Sequence, residues 1–163
     1  SNVLVDEVNG RYYLDMAINI RKEDSNLYYK LAKLDLSIEN YEDASINLEK
    51  AISLDPENGN YYRTLGAIHF ELENYEEGIE NTRYAYKLNE NDVLALNNAA
   101  IFYVNVDRDV YRAYDNITSA FEDMPLSVSE ENKEIIIGNY NKIKSLYESG
   151  DEDYTDMDLK LIY

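Results

Sequence analysis

The sequence predicts an all-α fold, a solenoid of stacked helix pairs. Three observations carry that reading. The letters ENYEDA at 39–44 return as ENYEEG at 73–78, an offset of 34 residues. The flanking positions agree at the same offset, pairing Tyr28 with Tyr62, Leu31 with Leu65, Ala32 with Gly66, Ala44 with Gly78 and Ala51 with Ala85. Within each copy, apolar residues recur every three or four positions, the period of a helix with one buried face. A period of this length marks an array of small helical units that bury their apolar faces by stacking.

Each element follows from local signals. Residues 10–24 fall on the register of a repeat's second helix, with Gly10, Leu14, Ala17 and Ile20 at the offsets of Ala44, Leu48, Ala51 and Leu54. The expected flanking helix covers 8–22. It reads either as a cap or as the start of the chain inside a repeat, and the kept register favours the latter. Ser1 and Asn2 resemble a scar of tag removal, so Val3 is expected to be internal to a longer protein. The first repeat, 25–58, carries Leu27, Leu31, Leu34 and Ile38, then Ala44, Leu48, Ala51 and Ile52, and stops at Asp55-Pro56. The second covers 59–92. The third, 93–127, aligns Leu96, Ala99 and Ala100 directly and Ala113, Ala120 and Pro125 after one inserted residue near 107–110. Ser129 caps a helix over 129–149 with the stripe Ile136, Tyr140, Ile143 and Tyr147. The remaining 150–163 form an acidic, then apolar, tail. All of this is expected to form one domain.

Small residues at Ala32/Gly66/Ala100, Ala44/Gly78/Ala113 and Ala51/Ala85/Ala120 are placed where helices must approach closely. Among the tyrosine pairs, Tyr13, Tyr28 and Tyr62 are expected in the core.

The composition excludes several function classes. A net charge of −18 opposes nonspecific nucleic-acid binding and docking on an anionic membrane. With no cysteine, disulfides and thiolate metal sites are ruled out. No apolar run approaches the ~20 residues that span a bilayer. The single histidine, His69, lies at an inward position and reads as structural rather than catalytic. An EF-hand reading of 151–158 fails, because Asp156 stands where glycine is needed and Ile162 where glutamate is needed. No catalytic residue, metal site or cofactor is expected. The compartment stays open, with the cytoplasm weakly favoured.

The pattern resembles the tetratricopeptide repeat, a 34-residue helix–turn–helix unit. Tyr28, Tyr62 and Leu96 stand at its first aromatic position, Leu31-Ala32, Leu65-Gly66 and Ala99-Ala100 at its Leu-Gly pair, and Pro56 and Pro125 at its closing proline. Asp35 and His69 depart from the usual tyrosine, which Tyr103 keeps; Thr82 replaces a large residue and Glu90 the proline. The resemblance implies a right-handed α-solenoid whose first helices line a concave groove. It also implies a non-catalytic scaffold that holds a protein or an extended peptide.

The groove set drawn from those helices is Asn26, Tyr29, Lys30, Lys33, Leu36 and Ser37, then Asn60, Arg63, Thr64, Ala67, Phe70 and Glu71, then Leu94, Asn97, Asn98, Ile101, Val104 and Asn105. It holds three of the 15 basic residues and one of the 33 acids, a local inversion of sign, though over few enough positions for chance to compete. The residues expected to bind peptide are Asn26, Tyr29, Lys30, Lys33, Arg63, Phe70, Asn97, Asn98 and Ile101. Asparagines are suited to a peptide backbone because each offers donor and acceptor, and the basic residues suit an acidic ligand. The family's two-carboxylate clamp is not reproduced, since Tyr29 stands where its first lysine belongs.

Two further readings stay open: a self-associating structural module, and the targeting domain of a larger enzyme. For the tail, the expected state is a loose end or a short helix packed on Ile136 and Tyr140. The competing idea is that it docks on a concave face, its own or a neighbour's, with its acids meeting Lys30, Lys33 and Arg63.

Overall fold

The computed structural model describes residues 2–150, 154 and 157–163, with side chains from Asn9 onward. Among the described residues there are eight α-helices and no strand: α1 (Asn2–Ile20), α2 (Ser25–Ser37), α3 (Tyr41–Leu54), α4 (Gly59–Glu71), α5 (Tyr75–Leu88), α6 (Val93–Asn105), α7 (Val110–Glu122) and α8 (Glu130–Ser149). Helices adjacent in sequence pack together throughout, and α4, α6 and α8 also touch in succession. That is the contact pattern of a solenoid, where each unit meets its neighbours.

Asp and Asn punctuate the array. Asp24, Asn58 and Asp92 precede α2, α4 and α6, and each side chain accepts a bond from a first-turn N–H. Asn40 and Asp109 do the same for α3 and α7. Such side chains satisfy donors that a helix start leaves unpaired. One residue earlier, Glu39, Glu73 and Arg108 take left-handed backbone (φ 56°, 60° and 54°), reversing the chain between the helices of each pair. The linkers are 38–40, 72–74 and 106–109, so the extra residue of the third copy is absorbed in the turn and spares both helices.

Small residues sit at the helix contacts. Ala32, Ala44, Ala51, Ala85, Ala100, Ala113 and Ala120 are fully buried. The core divides into a cluster around Leu48, Leu65 and Ile68, and one around Phe102, Ile117, Ile136 and Ile143. At Gly66 an added Cβ would lie 2.5 Å from Thr82 Oγ1 and 2.8 Å from the Gly78 carbonyl oxygen, so α4 and α5 approach too closely there for any side chain.

Asp35, which departs from the family tyrosine, acquires a physical reason. Its carboxylate is fully buried, pairs with Arg11 of α1 and accepts a 2.8 Å bond from Asn47 Nδ2. It therefore fastens α1 to the first repeat. His69 keeps its Nδ1 buried without a partner, while its carbonyl accepts the Asn74 N–H at 2.8 Å.

Two core expectations need correction. Tyr13 is 67% exposed, because α1 turns that face away from α2. In the third tyrosine pair Tyr61 is the buried member, its ring against Tyr29 at 5.0 Å and its hydroxyl 3.2 Å from Ser25 Oγ. Tyr62 is half-buried and packs on Tyr84.

Candidate peptide groove

Three asparagines on two neighbouring helices form the centre of the site. Asn97 and Asn98 lie on α6 and Asn139 on α8, and all three are buried. Asn139 Nδ2 donates to Asn97 Oδ1 at 2.8 Å, and Asn97 Nδ2 to Asn98 Oδ1 at 3.2 Å. Three buried amides are costly unless satisfied. The rest of their bonding capacity goes to the chain's own C-terminal segment.

The tail is therefore neither loose nor packed as a helix on Ile136 and Tyr140. Asp158 turns the backbone (φ 42°), with its carbonyl accepting from Lys142 Nζ at 2.6 Å. Lys160 donates its N–H to Asn139 Oδ1 at 3.1 Å, and its carbonyl accepts from Asn139 at 2.9 Å and Asn97 at 3.2 Å. Ile162 repeats the arrangement with Asn98, N–H to Oδ1 at 2.9 Å and carbonyl from Nδ2 at 2.8 Å. A carboxamide bonded to both main-chain groups of one residue imitates a neighbouring β-strand. The two gripped residues are two apart, which is the repeat of an extended chain.

Beyond Ile162 the segment reaches α4 and α2. Tyr163 donates its hydroxyl to Glu71 Oε1 at 2.5 Å, and its main-chain oxygen accepts from Lys33 Nζ at 3.2 Å. Burial pushes the Tyr163 phenol far above its ordinary pKa, and the bond to Glu71 adds to the shift. Ile162 is 2% exposed within the C-terminal cluster, and Tyr163 packs against the N-terminal one. Leu161 lines a small cavity with Ala67, Phe70, Ile79, Asn98 and Phe102. Burying Ile162 is worth about 1.5–3 kcal/mol and each hydrogen bond about 1 kcal/mol. Fixing the backbone costs about 1–2 kcal/mol per residue. These gains and this cost are of the same order.

Of the nine residues expected in the groove, Lys33, Phe70, Asn97 and Asn98 meet the tail. Tyr29 is half-buried against Tyr61, Asn26 and Lys30 are exposed on α2, and Ile101 is buried in the array. Arg63 is a correction: it is 6% exposed and bound to Asp92 at 2.6 Å and Asn60 at 3.0 Å, so its charge is spent joining α4 to the start of α6. The tail acids at 151–153 and 156 lie outside the described residues, and Asp158 meets Lys142 rather than the expected bases. Asn139 and Glu71, outside that set of nine, also bind the tail. Asn139 had a signal, a polar residue between Ile136 and Ile143 on an apolar stripe.

Among the described residues no helix is long and apolar enough to cross a membrane, and no group of three or more His, Asp or Glu is placed to hold a metal ion.

A tetratricopeptide-repeat family model matches residues 25–58. Residues 25–58 match a tetratricopeptide repeat, and the stacked helix pairs have the fold of a tetratricopeptide-type solenoid. Similar solved structures carry the same tetratricopeptide fold across the chain. A MamA protein matches with TM-score 0.69 and 17% identity over 99% of this chain and 92% of its own. YrrB, described as a TPR protein with an unusual peptide-binding site, gives 0.66 and 19% over 96% of this chain and 76% of its own. The TPR2B domain of yeast Sti1, in its pHsp70 complex, gives 0.66 and 17% over 75% of this chain and 97% of its own. No curated protein matches the chain.

Proposed function

We propose that this tetratricopeptide array is a non-catalytic scaffold whose concave groove holds an extended peptide segment of a protein partner. One observation carries the reading: Asn98 and Asn139 each bind both main-chain groups of a residue, two residues apart along one extended segment. Main-chain bonds supply affinity for any extended segment, and pockets such as that around Leu161 supply selectivity. The neighbours' described pHsp70 complex and peptide-binding site agree with this use of the fold.

An acidic preference is confined to one end of the groove. Lys30 and Lys33 remain exposed there, whereas Arg63 is neutralised by Asp92. A displayed library of ten-residue peptides, panned on the full chain, tests both levels. Binders should lose at least tenfold in affinity on Asn98→Ala, and Lys30→Ser with Lys33→Ser should flatten the salt dependence of the acidic ones. Binders indifferent to Asn98→Ala would place recognition elsewhere.

Self-association is the second reading, favoured by one face of α1. Tyr12, Tyr13, Met16 and Ile20 are 59%, 67%, 47% and 80% exposed. They recur at helical spacing as an unpaired apolar stripe.

A further inference from the structure

We propose that residues 157–163 are a built-in competitor for the groove, and that a partner segment must resemble this tail and displace it. The inference rests on the groove being a peptide site, and it specifies both the ligand class and the state in which the site is found.

The tail occupies the amides that would hold a ligand. Asn98 directs its Oδ1 and Nδ2 to Ile162, and Asn139 directs both to Lys160. Asn97 is taken up by Lys160, Asn98 and Asn139. A second peptide backbone has no route to these groups while the tail is in place. The occupant also defines what fits. Positions equivalent to Lys160 and Ile162 must each offer an N–H, which forbids proline at both. The position of Ile162 is enclosed and calls for an aliphatic side chain, and that of Leu161 lines the small cavity beside Phe70 and Phe102. At the position of Tyr163, a phenol reaches Glu71, and Lys33 meets the main-chain oxygen. The ligand is thus an extended aliphatic–aliphatic–tyrosine segment, read through its backbone. Side chains at the Lys160 position are unconstrained, since Lys160 itself is exposed.

The test uses the full chain and a fluorescein-labelled peptide of sequence Asp-Leu-Lys-Leu-Ile-Tyr, residues 158–163. Ile162→Asp places a charge in an apolar enclosure, and Lys160→Pro removes a main-chain donor; either should release the tail. Release is read from faster exchange of the amide at position 162, which Asn98 Oδ1 holds in the docked chain, with helicity unchanged. Both released chains should bind the peptide at least tenfold more tightly than the unsubstituted chain. Adding Asn98→Ala to Ile162→Asp should remove that gain, and a peptide with proline in place of isoleucine should not bind. Equal affinity of released and unsubstituted chains would overturn the competitor role while leaving the groove as a peptide site. No binding by either released chain, with its helices intact, would overturn both.

Discussion

Tyr163 shows how much one side chain contributes to the occupied groove. Its hydroxyl donates to Glu71, and burial holds the phenol protonated. An undocked tyrosine ionises near pH 10. The docked state is thus at full strength below that pH and weakens as pH rises past it, because ionisation is open only to the released tail. A dye on the chain through Lys160→Cys, the chain's sole cysteine, reports release as falling anisotropy. The fall should begin above about pH 10 and be absent in the same chain carrying Tyr163→Phe. Release of the Tyr163→Phe chain over the same range would assign the effect to other groups that titrate there, the tail-binding lysines Lys33 and Lys142 included. At this scale the register on a first helix marked Asn97 and Asn98, and both side chains bind the tail. It misjudged Arg63, whose partner Asp92 lies 29 positions away and is brought close only by the stacking of α4 on α6.

Helix pairing was the most legible level, because the small residues that permit it recur at a fixed offset. The two central glycines make the point by contrast with a third. A methyl group on Gly66 would press on Thr82 and on the Gly78 carbonyl, whereas one on Gly138 meets nothing within 4 Å. Replacing glycine by alanine inside a helix gains about 1 kcal/mol, and overpacking a tight contact costs about 1–3 kcal/mol. Gly138→Ala should therefore raise the melting temperature and Gly66→Ala lower it. Equal melting of the two variants would contradict the close approach of α4 and α5. The turns were less legible. Glu39, Glu73 and Arg108 take left-handed backbone without being glycine, so their conformation leaves no compositional trace. The α7–α8 contact relies on stacked rings, Tyr114 on Tyr147 at 4.2 Å and Phe121 on Tyr140 at 4.3 Å. Helical spacing marked Tyr140 and Tyr147 as a stripe but could not show which rings they would meet.

For the whole molecule, the array was legible, while docking of the tail stood only as the competing idea to a loose or helical end. A period reports what repeats, and the tail occurs once; its partners lie as far away as Lys33, 130 positions earlier. The unpaired stripe on α1 belongs to this scale as well. If a second copy covers it, light scattering should show mass rising with concentration, and Tyr13→Asp with Ile20→Lys should return the single-chain mass. A constant single-chain mass across concentrations would remove the self-association reading.

The segment from Met157 to Tyr163 also has a mechanical meaning. A superhelical array is a coil spring, stiff within each helix pair and compliant in the angles between pairs. Residues 157–163 are fastened to α8 through Lys142 and to α2 through Lys33, crossing the hollow side like a bowstring. Asp158 and Tyr163, the two fastened residues, are five steps apart, so at about 3.3 Å per extended residue the string is at most roughly 17 Å long. An occupant of different length or pitch would bend the same array to a different curvature, so the spring's shape becomes a readout of what lies across it.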